Sequence, residues 1–367
     1  IKKKKMSKGY RILISGGGTG GHVFPAISIA NEIMAQYPSS EIQFVGARGK
    51  LEMEKVPAAG YKIQGLWIAG FQRRISLKNF LLPIKVLHSL VRSWWIIKTF
   101  KPDFTIGVGG YASGPLNFMA SLMKIPLFLQ EQNSYPGITN KLLKKYAIKI
   151  CVAYPGMERF FLPHKIELTG NPIRQDLLKT PKFKDEAYHY FSLDPHKKTI
   201  LVMGGSLGAR TINEAVQHNL NSIAKQDIQL LWQTGASYTG DFGSFHWGTR
   251  TAFIKRMDLA YMIADVVVSR AGAMSVSELS VLGKATIFVP SPFVSEDHQT
   301  KNAQTLVENK AAILCKDSDA KTSLGDMIIE LIKNEPHRKN LELEIRKLGL
   351  PHAAHDIVKV ITNSANR

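Results

Sequence analysis

The chain has 367 residues, 44% hydrophobic and 21% charged, and a net charge of +19 from 48 Lys and Arg against 29 Asp and Glu. That length suits two domains, and the balance excludes a disordered or fibrous chain. The excess of cations favours an anionic partner; without a long basic tail, arginine-rich run or zinc-finger spacing, nucleic acid ranks below an anionic membrane surface or phosphorylated substrates.

The opening "IKKKK" precedes Met6 and is set aside as a remnant or an upstream start. "RILIS" from Arg11 is a first strand, "GGGTGGH" at Gly16–His22 a glycine turn, and Ala26–Tyr37 a first helix. Glycine is needed where the backbone takes positive φ or approaches a ligand, and a strand-to-helix turn offers free N–H groups and a positive helix end to an anion. Gly16, Gly18 and Gly21 satisfy G-x-G-x-x-G, so a dinucleotide site is one reading. It wants an acid at the end of the second strand; Glu41 stands at the start of "EIQFVG", and Arg48 is the residue placed to meet an NADP 2′-phosphate. No Gly-Lys-Ser/Thr closes the turn, so a Walker A loop is excluded.

Gly70–Asp103 mixes Arg73, Arg74, Lys78 and Lys85 with Ile75, Leu77, Phe80, Leu81 and Leu82. An apolar patch rimmed by cations suits shallow insertion among anionic lipids, each cation adding about 1 kcal/mol; local core packing is the alternative. After Pro83, Ile84, Leu87, Val91 and Trp94 recur at helical spacing, and the pattern predicts that they face the core. Phe104–Met123 carries no charge, but its glycines and Pro115 predict a strand, a turn and a helix over Gly114–Met123 rather than a membrane span. Further strands are expected at "PLFLQ", "IKICVA" and "IELTG", with Glu131, Gln132 and Asn133 at one strand's carboxyl edge.

A charged, proline-bearing seam, Gly170–Thr199, precedes a second series: "TILVMGG", "IQLLWQT", "TAFI", "DVVVS", "ATIFVP" and "AAILC". It has its own glycine turn, "GGSLGAR" at Gly204–Arg210, and a cluster of small residues and hydroxyls, "SRAGAMSVSE" at Ser269–Glu278. Helices are expected at Asn302–Asn309, Asp326–Asn334, Arg338–Leu348 and His352–Asn363, the last crossing back to the first domain. Short apolar strands alternating with helices imply parallel sheets covered on both faces, and twelve strands imply two doubly wound α/β domains. Cys151 and Cys315 sit in apolar contexts and are expected as buried, inert thiols. "DSD" at Asp317–Asp319 resembles a metal-binding D-x-D, but its surroundings predict helix capping.

Taken in order, "GGGTGGHVFPA", "GGYASGP", "EQN", "GNPIR", "GGSLGA", "SRAGAMSVSE" and "DHQTKNA" resemble the motifs of the MurG family of peptidoglycan N-acetylglucosaminyltransferases, from about Arg11 to the C-terminus. The resemblance implies the GT-B fold, two Rossmann-like domains facing across a cleft. Residues 6–172 form an acceptor and membrane-facing domain and residues 173–349 a UDP-GlcNAc-binding domain, with a final helix near 350–367 packing back on the first. It implies inverting transfer of GlcNAc from UDP-GlcNAc to the MurNAc 4-hydroxyl of lipid I, giving lipid II, without cofactor or metal. The place implied is the cytoplasmic face of the bacterial inner membrane, with an anionic surface and other cell-wall synthesis proteins as partners.

Residue by residue, the resemblance makes His22 the leading general base, with capping or a plain phosphate contact as alternatives, and Asn133 a group that orients acceptor or water. Glu131 is an alternative base or a structural partner. Gly18, Thr19, Gly21, Gly110, Tyr111 and Ser113 are implied on the acceptor diphosphate. Thr19, Gly20, Asn133, Arg174, Ser206, Ile254, Ala273, Met274, Ser275, Glu278 and Gln299 are implied on the donor. There Arg174 contacts the diphosphate or makes an interdomain ion pair, Glu278 holds the ribose, Ile254 meets uracil through its backbone, and Gln299 clamps the sugar beside His298 and Asn302. Arg73, Arg74, Ile75, Leu77, Phe80 and Leu81 are implied at the membrane. Leu207 departs from the glutamine common in the family. Rival functions are another nucleotide-sugar transferase, an NADP-dependent oxidoreductase and a non-enzymatic anion-binding protein at membranes; the second glycine turn disfavours the oxidoreductase, which needs one nucleotide site.

Overall fold

The computed structural model describes residues 9–70, 81–178, 184–205, 207–240 and 245–365. Contacts divide the chain into two compact units, residues 1–174 with 352–367, and residues 175–351. The first unit runs β1 (Arg11–Ser15), α1 (Gly20–Gln36), β2 (Glu41–Ala47), α2 (Glu52–Ala58), β3 (Lys62–Leu66), α3 (Leu82–Phe100), β4 (Phe104–Gly107), α4 (Ser113–Leu122), β5 (Leu127–Glu131), α5 (Ile138–Leu143), β6 (Lys149–Val152) and β7 (Ile166–Leu168). The second runs α6 (Lys184–Phe191), β8 (Lys198–Met203), α7 (Arg210–Ala224), β9 (Ile228–Gln233), β10 (Gly248–Thr251), α8 (Met257–Ile263) and β11 (Val266–Ser269). It continues with α9 (Ala273–Leu282), β12 (Thr286–Phe288), α10 (His298–Glu308), β13 (Ile313–Leu314), α11 (Ala320–Lys333) and α12 (Glu335–Lys347); the last helix, α13 (Ala353–Ala365), belongs to the first unit.

Both sheets are parallel among the described strands, ordered β3-β2-β1-β4-β5-β6-β7 and β10-β9-β8-β11-β12-β13. The strand order reverses between β1 and β4 in one sheet and between β8 and β11 in the other. In an open α/β sheet the crevice at such a reversal, outside the strands' carboxyl ends, is where a ligand can enter.

The strands read as unbroken apolar runs because helices cover both faces. Ile12 and Ile14 pack with Val23, Ile29 and Ile33 of α1 and with Ile357, Val358 and Ile361 of α13, whereas Leu13, between them, packs with Ile96 and Ile97 of α3 and Leu116 of α4. Each such side chain contributes about 1.5–3 kcal/mol by leaving water. In the second unit Trp232 is fully buried, and its indole donates to Asn213 Oδ1 at 3.0 Å while Asn213 Nδ2 donates to the Thr234 carbonyl at 2.8 Å.

The structure corrects several local expectations. α1 begins at Gly20, six residues before the predicted start: Gly20 and Gly21 look like breakers in sequence yet fall in the first turn, where amides have no intrahelical partner, and Pro25 lies inside the helix, which tolerates the one ladder bond its missing N–H forgoes. The strand expected at "TAFI" lies at Gly248–Thr251, and β3 was not foreseen because "KIQGL" is only partly buried at the sheet edge. On α3 the inward face is Ser89, Ser93, Ile96, Ile97 and Phe100, while Ile84, Leu87, Val91 and Trp94 are exposed. Helical period reveals a stripe but not which side wins; here small serines allow close approach, with Ser89 Oγ donating to the Trp67 carbonyl at 3.1 Å.

Both cysteines are buried and unpaired, and burial pushes the Cys151 thiol up to about 12 and the Cys315 thiol up to about 11. "DSD" is not a capping device: the Asp319 side chain caps nothing, and Asp317 is held by Arg270 at 2.5 Å and by the Thr211 hydroxyl at 3.2 Å. Among the described residues no group of three His, Cys, Asp or Glu could hold a metal, and no helix is long and apolar enough to cross a membrane.

Candidate active site

At the reversal of the first sheet the turn after β1 meets the turn after β4. Gly109 and Gly110 have φ of +86° and +76°, and the His22 ring lies against them. A Cβ on Gly110 would sit 2.3 Å from the Gly17 carbonyl oxygen and 3.0 Å from the imidazole, so only glycine lets the two turns close. The crowding continues behind the first turn. A Cβ on Gly16 would lie 2.1 Å from Val108, and one on Gly17 would lie 2.1 Å from the buried Glu52 carboxylate. Glu52 accepts from the amides of Gly18 and Ala47, both at 2.9 Å. The Gly18 N–H is thereby directed at Glu52, and Gly18 supplies a φ of +87° that bends the turn.

Thr19 is the N-cap of α1, exposed, with its carbonyl accepting from the amides of His22 and Val23 and its hydroxyl making no cap bond. Gly20 and Gly21 supply first-turn amides, which a helix leaves without intrahelical acceptors. Ser113 opens α4, and its hydroxyl donates to the Gly110 carbonyl at 2.9 Å. The Tyr111 ring covers Gly18 and Gly70; burial and then the nearby Glu52 charge push its phenol above the ordinary tyrosine range.

The imidazole is held by a buried amide chain. His22 Nδ1 lies 3.0 Å from Gln132 Oε1. Gln132 Nε2 donates to the Val108 carbonyl at 2.9 Å, to the Gln130 carbonyl at 3.3 Å and to the Gln130 side-chain oxygen. Gln130 Nε2 in turn donates to Asn171 Oδ1, and Asn171 Nδ2 to the Gln132 carbonyl, both at 3.0 Å. With carbonyl oxygens on its Nε2 side, Gln132 can present only its oxygen to the histidine. His22 Nδ1 must then carry the proton in the neutral ring, leaving Nε2 as the basic atom.

Glu131 is buried, and it accepts from the Asn133 amide at 3.1 Å, Asn133 Nδ2 at 3.3 Å, the Gly137 amide at 3.1 Å and Asn140 Nδ2 at 2.8 Å. Its carboxylate organises the loop after β5, which fits the structural alternative and not a base. Asn133 is set by that loop, and Arg174 is half-buried three residues beyond Asn171. Glu41 pairs with Arg11 at 3.2 Å across the starts of β1 and β2, and Arg48 donates to the Gly65 carbonyl of β3 at 3.1 Å; both are engaged within the sheet.

The reversal of the second sheet is built differently. The turn after β8 carries Gly205 and Gly208 at φ of +85° and +79°, with Leu207 exposed on it. Gln233, at the end of β9, donates to the Gly205 carbonyl at 2.6 Å and accepts the Ile254 amide at 3.2 Å. After β11, Ala273, Met274 and Ser275 form the first turn of α9, with Gly272 as N-cap. Glu278 lies one turn on, largely buried, and accepts from the Tyr261 hydroxyl at 3.0 Å. Gln299, in the first turn of α10, accepts the Ser291 amide at 2.8 Å, and Asn302 donates to the Ala271 carbonyl at 3.3 Å.

Each group thus collects at the carboxyl ends of its own sheet. Ser206, Arg73, Arg74, Ile75, Leu77 and Phe80 lie outside the described residues, while Leu81 is exposed ahead of α3. Glu52, Gln130, Asn171, Gln233 and Tyr261 were not foreseen as site residues. Asn171 and Gln132 stood inside quoted motifs, but Glu52, Gln233 and Tyr261 carry no local signal.

Residues 12–152 match the glycosyltransferase family 28 N-terminal domain and residues 199–357 its C-terminal domain. A curated relative from Flavobacterium psychrophilum is 51% identical over 96% of this chain and 97% of its own, and one from Cytophaga hutchinsonii is 51% identical over 98% of both. Both are named UDP-N-acetylglucosamine–N-acetylmuramyl-(pentapeptide) pyrophosphoryl-undecaprenol N-acetylglucosamine transferase. Among solved structures, MurG of Acinetobacter baumannii is similar with a TM-score of 0.75 at 26% identity, over 96% of this chain and 99% of that one.

Proposed function

The chain belongs to glycosyltransferase family 28, with two-domain N-acetylglucosaminyltransferases as its relatives, and from that premise we propose how its two switch points divide the reaction. The enzyme transfers GlcNAc from UDP-GlcNAc to the MurNAc 4-hydroxyl of undecaprenyl-pyrophosphoryl-MurNAc-pentapeptide, with inversion at the sugar's C1. The observation that carries this reading is identity of about half over nearly the full length of relatives bearing that one activity.

The first unit serves the acceptor. His22 Nε2 takes the proton as the 4-hydroxyl oxygen bonds to C1 of GlcNAc and the bond from C1 to the UDP oxygen breaks. As the ring becomes cationic its Nδ1–H···O bond to Gln132 becomes charge-assisted and strengthens. Amides of Thr19, Gly21 and Gly110 meet the acceptor diphosphate, under Tyr111, while the Ser113 hydroxyl holds the Gly110 carbonyl behind that turn. The second unit serves the leaving group. First-turn amides of α9 at Ala273, Met274 and Ser275 and the glycine turn after β8 take up charge on UDP, an oxyanion-type stabilisation that uses backbone dipoles. Glu278, oriented by Tyr261, holds the ribose, and Gln299 holds GlcNAc hydroxyls. Because Gln233 takes the Ile254 amide, contact with uracil falls to the Ile254 carbonyl.

The exposed apolar face of α3, with Leu81, Ile84, Leu87 and Trp95 near Lys85, Arg92 and Lys98, supports a peripheral seat on the anionic cytoplasmic leaflet. The test is UDP release from UDP-GlcNAc with and without a lipid I analogue. Release that requires the analogue is expected; release at the same rate without it refutes the assignment. Replacing Ile84, Leu87 and Trp95 with serine should weaken binding to anionic liposomes, and unchanged binding removes the membrane seat.

A further inference from the structure

The first unit holds a cavity of about 540 Å³, walled by α3 and α5 and floored by α4. That volume lies within the range of small-ligand sites. Its walls are Leu82, Val86 and Leu90 on one side and Leu142 and Tyr146 on the other, with Phe118 beneath; Phe118 and Tyr146 meet edge to face at 5.9 Å. Lys145 is the charged residue of the lining, and its ammonium stands 4.8 Å over the Tyr146 ring. The apolar walls are open: Val86 is 38% exposed and Leu142 70%. A sugar or peptide would find almost no hydrogen-bond partners there, whereas a hydrocarbon would lose only water.

The cavity's position identifies the hydrocarbon. Tyr111, Gly114 and Pro115 belong to its lining, and Tyr111 and Gly114 flank Ser113 in the turn that opens α4. A diphosphate on that turn therefore delivers whatever is esterified to it directly into the cavity mouth. Resting on the acceptor reading above, we infer that this cavity binds the first isoprene units of the acceptor's polyprenyl chain, next to the diphosphate. Free phospholipid acyl chains lack this geometry, because their phosphate is separated from the chains by glycerol. Exposed Leu142 and Val86 are then one wall each of a tail site, and Lys145 adds a cation at its rim.

The experiment titrates the full-length protein with geranyl diphosphate and with inorganic diphosphate by calorimetry. Geranyl diphosphate should bind about tenfold or more tightly than inorganic diphosphate, and the gap should close in Val86→Gln/Leu142→Gln. Leu142→Gln alone, on an exposed position, should close part of it, and thermal melting checks that both variants fold. Equal affinity of the two ligands for the wild-type protein overturns the inference. So does displacement of geranyl diphosphate by monomeric dihexanoyl phosphatidylglycerol at equal concentration, which would mark a general lipid groove. In turnover, the ratio of kcat/KM for a geranyl-linked over an ethyl-linked acceptor should fall about tenfold in the double variant. An unchanged ratio counts against the tail site alone, while absence of UDP release by the wild-type protein with either acceptor sinks the transferase reading.

Discussion

The two sheet reversals share a topology and a glycine turn, yet spend their side chains differently. At β1/β4 the turn is packed from behind: Glu52 and Val108 occupy the space that side chains at Gly16 and Gly17 would need, and the amide of Gly18 is consumed by Glu52. What emerges toward the site is one imidazole in a fixed tautomer. At β8/β11 the turn is closed by backbone instead, a Cβ on Gly208 falling 2.0 Å from the Thr234 carbonyl oxygen; only Gly205 faces open space, with nothing within 4 Å of a Cβ there, and the fixed group is a carboxylate, Glu278, oriented by a tyrosine. One fold supplies the position; the side chains behind it decide whether the position serves proton transfer or binding.

The sharpest way to break this contrast is His22→Ala. If the first reversal does the chemistry, kcat should fall by about 10²–10⁴ while KM for UDP-GlcNAc moves little. Steady-state kinetics with a soluble acceptor separate the two, and a pure rise in KM would reassign His22 to binding.

Gly17→Ala comes next and acts without touching a substrate. The new methyl displaces the Glu52 carboxylate from the Gly18 and Ala47 amides, stranding a buried charge at a cost of about 2–3 kcal/mol. Urea unfolding should register that loss, and an unchanged midpoint would mean that the turn is looser than its packing implies.

Glu278→Gln probes the second reversal from the binding side. Loss of a charged acceptor is worth about 1.5–3 kcal/mol, so KM for UDP-GlcNAc should rise about 10- to 100-fold with kcat nearly constant. A fall in kcat at unchanged KM would move chemistry into the second unit and erase the contrast.

Gln132→Met tests the tautomer. Without Gln132 Oε1, His22 loses the acceptor for its Nδ1 proton, and kcat should drop about tenfold, the worth of one buried hydrogen bond. Nitrogen NMR should show the ring proton leaving Nδ1; a ring still protonated there would show that Gln132 does not set it.

Much of this was legible in the sequence. Glycine turns after apolar strands announce themselves, because positive φ and close backbone approach leave few alternatives to glycine, and the order of seven motifs pointed to one family. His22, Glu278 and Gln299 were visible because they stand inside those turns or the helices that follow them. Gln132 was visible as a residue but not as a device, since its meaning depends on Val108 and Gln130 fixing which end of its amide faces His22. Glu52 and Tyr261 reach their sites only through tertiary packing, so no spacing reveals them. The face of α3 was misread for a related reason. Its apolar residues outnumber those the core can take, and small Ser89 and Ser93 win the inward side by letting the backbone approach.

The smallest effect makes the finest distinction. Gly205→Ala adds a methyl to open space, so the folded protein should lose only the cost of a left-handed backbone, about 1–2 kcal/mol, less than Gly17→Ala loses through crowding. The two glycines are therefore needed for opposite reasons, one for room and one for φ. Yet Gly205 also stands in the turn assigned to the leaving diphosphate, where a missing side chain can serve the ligand. Calorimetric UDP affinity, set beside the unfolding free energy of the same variant, separates the two uses. If conformation alone matters, UDP binding to the folded variant stays within about twofold of the parent, because the turn that survives folding keeps its amides in place. A loss in affinity larger than the loss in stability would show that the second turn, too, holds its space empty for a substrate.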